Sequence, residues 1–130
     1  MTDRWLSIQL KMTKAKTLLS EVEILINHKG YNSIISRLYY ACYHATSALL
    51  LTKGLQSKSH KGLSVVLNKE FVLKGYFDIE KSAFFARLMQ ERMDEDYGDF
   101  IVIDEEIINE FYEPSKEYIQ YIEILVNENR

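Results

Sequence analysis

Apolar residues recur every three or four positions along most of the chain, which is the spacing of one face of an α-helix. Residues 3–28 follow this spacing and predict one long helix, with Gly30 after it as a left-handed terminator. Residues 32–53 are apolar around most of the helix circumference, so we expect this second helix to be the most buried. The two predicted stripes contain Trp5, Ile8, Met12, Ala15, Leu19, Val22 and Ile26, then Tyr31, Ile35, Leu38, Cys42, Ala45 and Leu49.

The middle of the chain predicts a loop, a short helix and a long helix. Residues 56–62 are polar and predict the loop, and residues 63–71 predict the short helix. Asp78 is suited to cap a further helix that reaches about residue 96, because its side chain can accept from a first-turn N–H. The predicted buried side of this helix contains Ile79, Ala83, Ala86, Met89 or Gln90, and Met93.

The last helix follows a short apolar connector over residues 100–103, which we expect to lie extended against the other helices. Asp104 is suited to cap it. Pro114 lacks a backbone donor, so we expect it to kink or split this helix. The predicted buried stripe contains Ile108, Phe111, Ser115, Tyr118, Ile122 and Leu125.

Together these elements predict a single domain over residues 1–130 with an all-α fold, an up-and-down four-helix bundle with an additional short helix. A hydrophobic fraction of 47% with 27% charged residues excludes a disordered tail. The single cysteine excludes an intramolecular disulfide and suits a reducing compartment. No apolar run is long enough to cross a membrane and the first residues do not resemble a signal segment, so we expect a cytoplasmic protein without membrane contact.

The charges divide unevenly between the two parts of the chain. Residues 1–76 carry 11 Lys or Arg against 4 Asp or Glu, whereas residues 77–130 carry 5 against 15. This asymmetry suits a basic surface for nucleic acid or a charged partner. The alternative, which we favour, is that basic and acidic helices pack side by side and neutralise each other.

Candidate binding residues lie on the second helix and in the loop after it. Arg37, Tyr40 and His44 have the spacing i, i+3, i+7 and share one helical face. His44 lies within an apolar helix, which favours a hydrogen-bonded core or interface histidine over a ligand or base. His60 and Lys61 follow serines that could bind an anion, although a solvated loop is the simpler interpretation.

Near the end of the fourth predicted helix, Arg92 and Asp96 form an i, i+4 pair and Tyr97 follows. These three residues either brace the helix end and a dimer face or form part of a catalytic site. We favour bracing, because acidic residues crowd around Arg92 and would oppose an approaching phosphate. No zinc-type spacing and no glycine-rich phosphate loop is present, and we expect neither a metal nor a cofactor.

Three motifs in this order resemble the HEPN family of small helical domains. They are the Arg37-x-x-Tyr40-x-x-x-His44 helix, the loop of residues 59–63 and the Arg92-x-x-x-Asp96-Tyr97 helix end. The resemblance implies a homodimer whose motifs meet in a cleft between protomers. It also implies a gene often found beside a minimal nucleotidyltransferase. Many such domains are metal-independent ribonucleases, often toxins, that use an Arg followed after four to six residues by His.

This chain departs from that pattern at the histidine. The window after Arg92 holds Asp96, Tyr97 and Gly98, and none of these is histidine. We therefore expect a homodimeric interaction or nucleotide-associated domain, partnered by a nucleotidyltransferase in a toxin–antitoxin-type or stress and defence module. In this hypothesis Arg92, Asp96 and Tyr97 line the dimer groove opposite the second-helix residues.

Other functions suit the same residues. The main alternative is a metal-independent ribonuclease toxin, in which Arg92 contacts phosphate and either His44 or His60 replaces the missing acid–base group. A weaker extension is that Tyr97 receives a nucleotide from the nucleotidyltransferase, as tyrosines near this motif do in some relatives. A third alternative is a domain that only scaffolds an assembly.

Overall fold

The computed structural model describes residues 2–31, 33–97 and 104–130, and all regular structure within them is helical. Helix α1 spans Thr2–Asn27, α2 spans Ile34–Leu51, α3 spans His60–Leu67 and continues into a π-helical turn over Asn68–Val72, α4 spans Ile79–Tyr97, and α5 spans Glu105–Glu128. The prediction of an all-α fold with four long helices and a short one is confirmed. None of the helices in these ranges is long and apolar enough to cross a membrane.

Helix α2 lies at the centre of the fold, as its apolar circumference predicted. It packs against all four other α-helices, α1, α3, α4 and α5. The side chains of Leu38, Tyr39 and Leu49 are fully buried, and most other α2 residues are buried with them. The predicted stripes of α1 and α2 face this core, with Trp5, Leu19, Ile26 and Tyr31 only partly buried.

Helix α3 begins at His60, three residues before the predicted start. The side chain of Ser59 caps it by accepting a hydrogen bond of 2.9 Å from the Gly62 N–H. A Cβ on Gly62 would lie 2.5 Å from Ser57 Oγ and 2.7 Å from Ser59 Oγ, so the capped turn requires glycine there. The loop and cap of this segment therefore fix where the His60 backbone lies.

The predicted buried side of α4 is wrong. Phe84, Phe85 and Leu88 are buried, whereas Ile79 is 69% exposed and Met93 42% exposed. Ala83, Ala86 and Gln90 are exposed as well, and Met89 is partly buried. The physical reason is area: turning two phenylalanines and a leucine inward buries more apolar surface than turning the alanines inward.

Helix α5 has the predicted cap and the predicted buried stripe. Asp104 accepts a hydrogen bond of 3.0 Å from the Ile107 N–H. Ile108, Phe111 and Tyr118 are buried and Leu125 is partly buried. The helix is continuous through Pro114, so of the two expected effects of proline the split is wrong, and the kink stays a prediction. The predicted connector over residues 100–103 lies outside the described residues.

The orientation of α4 predicts that two truncations change the free energy of unfolding by very different amounts. Leu88→Ala should lower the free energy of unfolding by about 2–5 kcal/mol, because it leaves a cavity in the core. Ile79→Ala, on the exposed side, should change it by no more than about 0.5 kcal/mol. Urea denaturation of both variants and the parent measures the free energy of unfolding. A larger loss in Ile79→Ala than in Leu88→Ala would contradict the orientation of the helix.

Candidate functional site

Three tyrosines of α2 surround the histidine that begins α3. We call Tyr39, Tyr40, Tyr43 and His60 the tyrosine–histidine cluster. The centroid of the His60 ring lies 5.6 Å from that of Tyr39, 5.7 Å from that of Tyr40 and 4.7 Å from that of Tyr43. Successive turns of one helix thus hold a partly buried imidazole against three phenol rings.

A hydrogen bond fixes the imidazole within this cluster. The Tyr39 hydroxyl oxygen and His60 Nδ1 lie 2.7 Å apart. Burial raises the pKa of Tyr39, so its hydroxyl keeps its proton at neutral pH. Either partner can donate in this bond: with the histidine proton on Nδ1 the ring donates to the phenol oxygen and Nε2 has a lone pair that can accept a proton, whereas with Tyr39 donating to Nδ1 the proton is on Nε2, which can donate it. The arrangement therefore provides an oriented acid–base group.

Helix α4 places a guanidinium against the same tyrosines. The Arg92 Cζ lies 5.6 Å from the centroid of the Tyr39 ring and 5.2 Å from that of Tyr40. These are cation–π distances, so the planar guanidinium packs against both phenol rings. Arg92 and His60 come from different helices but contact the same pair of rings.

The rings beneath the cluster are packed and hydrogen-bonded. Tyr39 stacks on Phe85 at 5.7 Å, and Phe85 stacks on Tyr118 at 5.6 Å. The Tyr118 hydroxyl shares a hydrogen bond of 2.6 Å with Thr46 Oγ1, which donates to the carbonyl of Cys42. All five of these residues are buried. Tyr39 therefore rests on a close-packed column and cannot shift without disturbing the core.

Arg37, Tyr40 and His44 were predicted to share one helical face, but their side chains lie in three different environments. Arg37 Nη1 donates to Glu21 Oε1 at 2.9 Å, which ties α2 to α1. Tyr40 belongs to the tyrosine–histidine cluster. His44 contacts Tyr43, with ring centroids 5.6 Å apart, and lines a separate cleft beside α1. Lys61 is exposed on the first turn of α3, next to His60.

His44 lies in a basic environment. Burial, Lys14 and Lys11 together lower the pKa of His44 below its usual range. The neutral imidazole is therefore favoured there at pH 7, which suits a hydrogen-bonding role better than a charged one. Of the two histidines that the sequence offered as acid–base groups, the structure brings His60 to the rings that hold Arg92.

The remaining residues of the Arg92 motif are only partly described. The backbone of α4 continues to Tyr97, but the side chains of Asp96 and Tyr97 lie outside the described residues. Burial, Asp94 and Glu110 raise the pKa of Glu91. Asp94 belongs to α4 and Glu110 to α5, so acidic side chains of both helices act on Glu91, the neighbour of Arg92.

Neither cysteine nor metal chemistry gains support from the described residues. Burial raises the pKa of Cys42 to about 12, so its thiol is a poor nucleophile. Within residues 2–31, 33–97 and 104–130, no group of three or more His, Cys, Asp or Glu side chains is placed to hold a metal ion.

Sequence reasoning missed Tyr39 and Tyr43 as partners of His60. A signal was available, because two tyrosines at i, i+4 share a helical face and Ser59 has the residue type of a cap. The contact between that face and the capped turn depends on how α3 packs on α2, which spacing along the chain does not encode.

Comparison with known proteins identifies the family. The family model described as the HEPN domain matches residues 8–125. The chain belongs to the HEPN domain family. This HEPN chain is also similar to curated relatives along most of its length. It is 30% identical over 115 residues to a "UPF0332 protein" of Thermotoga maritima, covering 88% of this chain and 87% of the relative.

Two similar proteins carry names that point to a biological role. The HEPN chain is 31% identical over 123 residues to "Putative toxin MJ0142" of Methanocaldococcus jannaschii, covering 89% of this chain and 84% of the relative. It is 33% identical over 106 residues to "Putative toxin MJ0605" of the same organism, covering 82% and 79%.

The environment of His44 gives a testable electrostatic prediction. In the HEPN chain, Lys14→Ala should raise the pKa of His44 toward its usual value, because it removes one of the positive charges that oppose protonation. NMR titration of the His44 ring protons measures the change. Lys29→Ala, which removes an exposed lysine not among the causes of the shift, should leave the pKa of His44 unchanged. Equal titration curves for Lys14→Ala and the parent would contradict the assignment.

Proposed function

We propose that this HEPN protein is a toxin that cleaves RNA, with His60 as the acid–base group and Arg92 as the phosphate-contacting cation. The observation that carries the proposal is a shared contact: the rings of Tyr39 and Tyr40 contact both the imidazole of His60 and the guanidinium of Arg92. The similarity to two proteins named as toxins supports the biological role.

The chemistry of this pair suits attack by a ribose 2′-hydroxyl. The imidazole takes the 2′-hydroxyl proton as the 2′ oxygen attacks phosphorus, and the bond from phosphorus to the 5′ oxygen breaks. The departing 5′ oxygen takes up a proton from the imidazolium or from water, leaving a 2′,3′-cyclic phosphate. The guanidinium stabilises the extra negative charge on the phosphate oxygens in the transition state.

Two arguments favour this hypothesis over a non-catalytic interaction domain. The histidine missing after Arg92 was the main objection to catalysis, and His60 supplies an imidazole from another helix. The second objection was the acidic surround of Arg92. In the described residues, Glu91 interacts with Asp94 and Glu110, whereas Lys61 lies next to His60. Lys61 is therefore a positive charge that α3 contributes next to the proposed acid–base group.

The proposal includes two protein partners. The family resemblance implies a nucleotidyltransferase gene beside this one, and the proposal assigns that enzyme the role of restraining the toxin. A second copy of this chain would form a homodimer through the exposed side of α4, where Ile79, Ala83, Ala86 and Met93 present apolar surface. Such a patch suits a two-fold contact, since each residue can meet its equivalent or a neighbour. Arg92 lies beside this patch, so the dimer would bring two clusters near each other.

The catalytic assignment predicts how RNA cleavage responds to substitution. His60→Gln should slow cleavage of a labelled single-stranded RNA by about 10²–10⁴-fold, because the acid–base group is lost. Arg92→Gln should slow it by about 10²-fold or more, through lost transition-state stabilisation. Gel analysis of the products with and without EDTA measures both, and His28→Gln, on an exposed residue, is the matched control.

A full-rate His60→Gln variant would contradict the role of this histidine. Absence of cleavage in the parent protein would contradict the ribonuclease proposal and favour the hypothesis of a non-catalytic interaction domain. In that case, binding of a nucleotide or of the nucleotidyltransferase without cleavage would be the observed activity.

The dimer predicts a mass of twice 15.3 kDa by light scattering at micromolar concentration. Ala86→Glu should restore the monomer mass, because it places like charges opposite each other at the centre of the α4 patch. Thr17→Glu adds the same charge to an exposed position of α1 and should leave the mass unchanged. A monomeric parent protein would contradict the proposed contact.

A further inference from the structure

The cleft that His44 lines lies between α1, α2 and the loop before α3. Its volume is about 370 Å³, within the size range of pockets that hold small molecules. Lys11 and Lys14 line it from α1, His44 and Ser47 from α2, and Ser57 from the loop. The proposed chemistry at His60 and Arg92 uses none of these five side chains.

The cleft is lined by cationic side chains. Two lysines and a histidine line it, and among the described residues none of its lining side chains is Asp or Glu. Burial lowers the pKa of His44 most, and Lys14 and Lys11 lower it further, so both lysines of the cleft act on this imidazole. An anion between them would relieve the repulsion among the cationic groups, so the cleft is electrostatically suited to a phosphate.

One wall of the cleft is apolar and strengthens that preference. Ionic interactions weaken in water and gain strength next to low-dielectric surface. The apolar wall consists of Leu50, Leu51, Leu55 and Leu63. Gln56 and three serines, Ser7, Ser47 and Ser57, add uncharged polar groups for a sugar or phosphate oxygen. The lining thus combines charge for a phosphate with neutral surface for the rest of a nucleotide.

Tyr43 connects this cleft to the proposed catalytic site. Its ring lies 5.6 Å from that of His44, in the cleft, and 4.7 Å from that of His60, in the cluster. A polymer that occupies the site at His60 would therefore reach the cleft by passing a single tyrosine side chain. A strand with regularly spaced phosphates can occupy the site at His60 and the cleft at His44 together, whereas a single nucleotide can occupy only one of them.

We propose that the cleft of Lys11, Lys14 and His44 binds the phosphate of a nucleotide next to the one cleaved, so that the substrate is a single-stranded RNA gripped at two places. The identity of the ligand rests on the proposed ribonuclease function. The cleft is a binding site, and its residues take no part in bond breaking.

A non-cleavable ligand separates binding from catalysis. The ligand is a fluorescent oligoribonucleotide with 2′-O-methyl groups throughout, and fluorescence anisotropy measures its affinity at several salt concentrations. Lys11→Ala/Lys14→Ala should weaken binding on the order of tenfold and reduce the slope of log K against log salt by about 0.7, the value for one phosphate contact on a single strand. The control, Lys29→Ala/Lys69→Ala, removes the same charge from exposed lysines outside the cleft and should have little effect.

The titration of His44 gives a second readout on the folded protein. The bound oligonucleotide should raise the pKa of His44, because the phosphate offsets the effect of Lys11 and Lys14. NMR titration with and without the oligonucleotide measures this shift. A nucleoside monophosphate that raises the pKa equally, with no oligonucleotide binding, would overturn the RNA assignment in favour of a free-nucleotide site.

The outcomes distinguish this inference from the proposed function. Cleavage that depends on His60 and Arg92, with equal affinity in the two lysine double variants, would overturn the cleft and leave the ribonuclease standing. Oligonucleotide binding that depends on Lys11 and Lys14, in a protein that cleaves no RNA, would support the cleft and overturn the ribonuclease. Loss of affinity in both double variants would indicate general charge attraction and would also overturn the cleft.

Discussion

The hydrogen bond between the Tyr39 hydroxyl and His60 Nδ1 joins the central helix to the first residue of α3, and the geometry of the candidate site depends on it. Neither partner is free to move away. Tyr39 is fully buried and stacks on Phe85, while the Ser59 cap fixes the backbone from which the imidazole extends. Packing thus orients one side of the bond and local backbone hydrogen bonding orients the other. A catalytic group held in this way needs little reorganisation when substrate binds.

Much of the fold could be predicted from the sequence, because burial in a helical bundle leaves a direct trace in apolar spacing. The central position of α2 and the Asp104 cap are examples. The orientation of α4 could not be predicted in the same way. Its sequence offers two apolar faces, and only the shape of the neighbouring core selects Phe85 and Leu88 over Ile79. Spacing alone treats an alanine and a phenylalanine alike, whereas packing does not.

The candidate site could be predicted only in part for a related reason. Arg92 and Tyr40 could be selected as candidate residues, but the histidine partner could not be chosen. His44 shares a helical face with Tyr40, which favoured it, yet the next turn of α2 directs it toward the lysines of α1. His60 is distant from both in sequence and reaches the tyrosines through the packing of α3 on α2. Residues on one helix share a face by periodicity, whereas contacts between helices depend on tertiary structure.

The two groups of the proposed catalytic site lie on separate helices, and this has a mechanical consequence that a motif within one helix lacks. His60 is attached to α3 and Arg92 to α4, and each contacts Tyr39 and Tyr40 on α2. The distance between acid–base group and cation is therefore set by two helix–helix contacts rather than by one turn of backbone. Any protein that binds α3 or α4 and shifts it on α2 by about 1 Å would disturb the alignment, and misplacement on that scale can cost about 10²-fold in rate. A site assembled across helices is thus open to control by a bound partner without any contact at the reacting atoms.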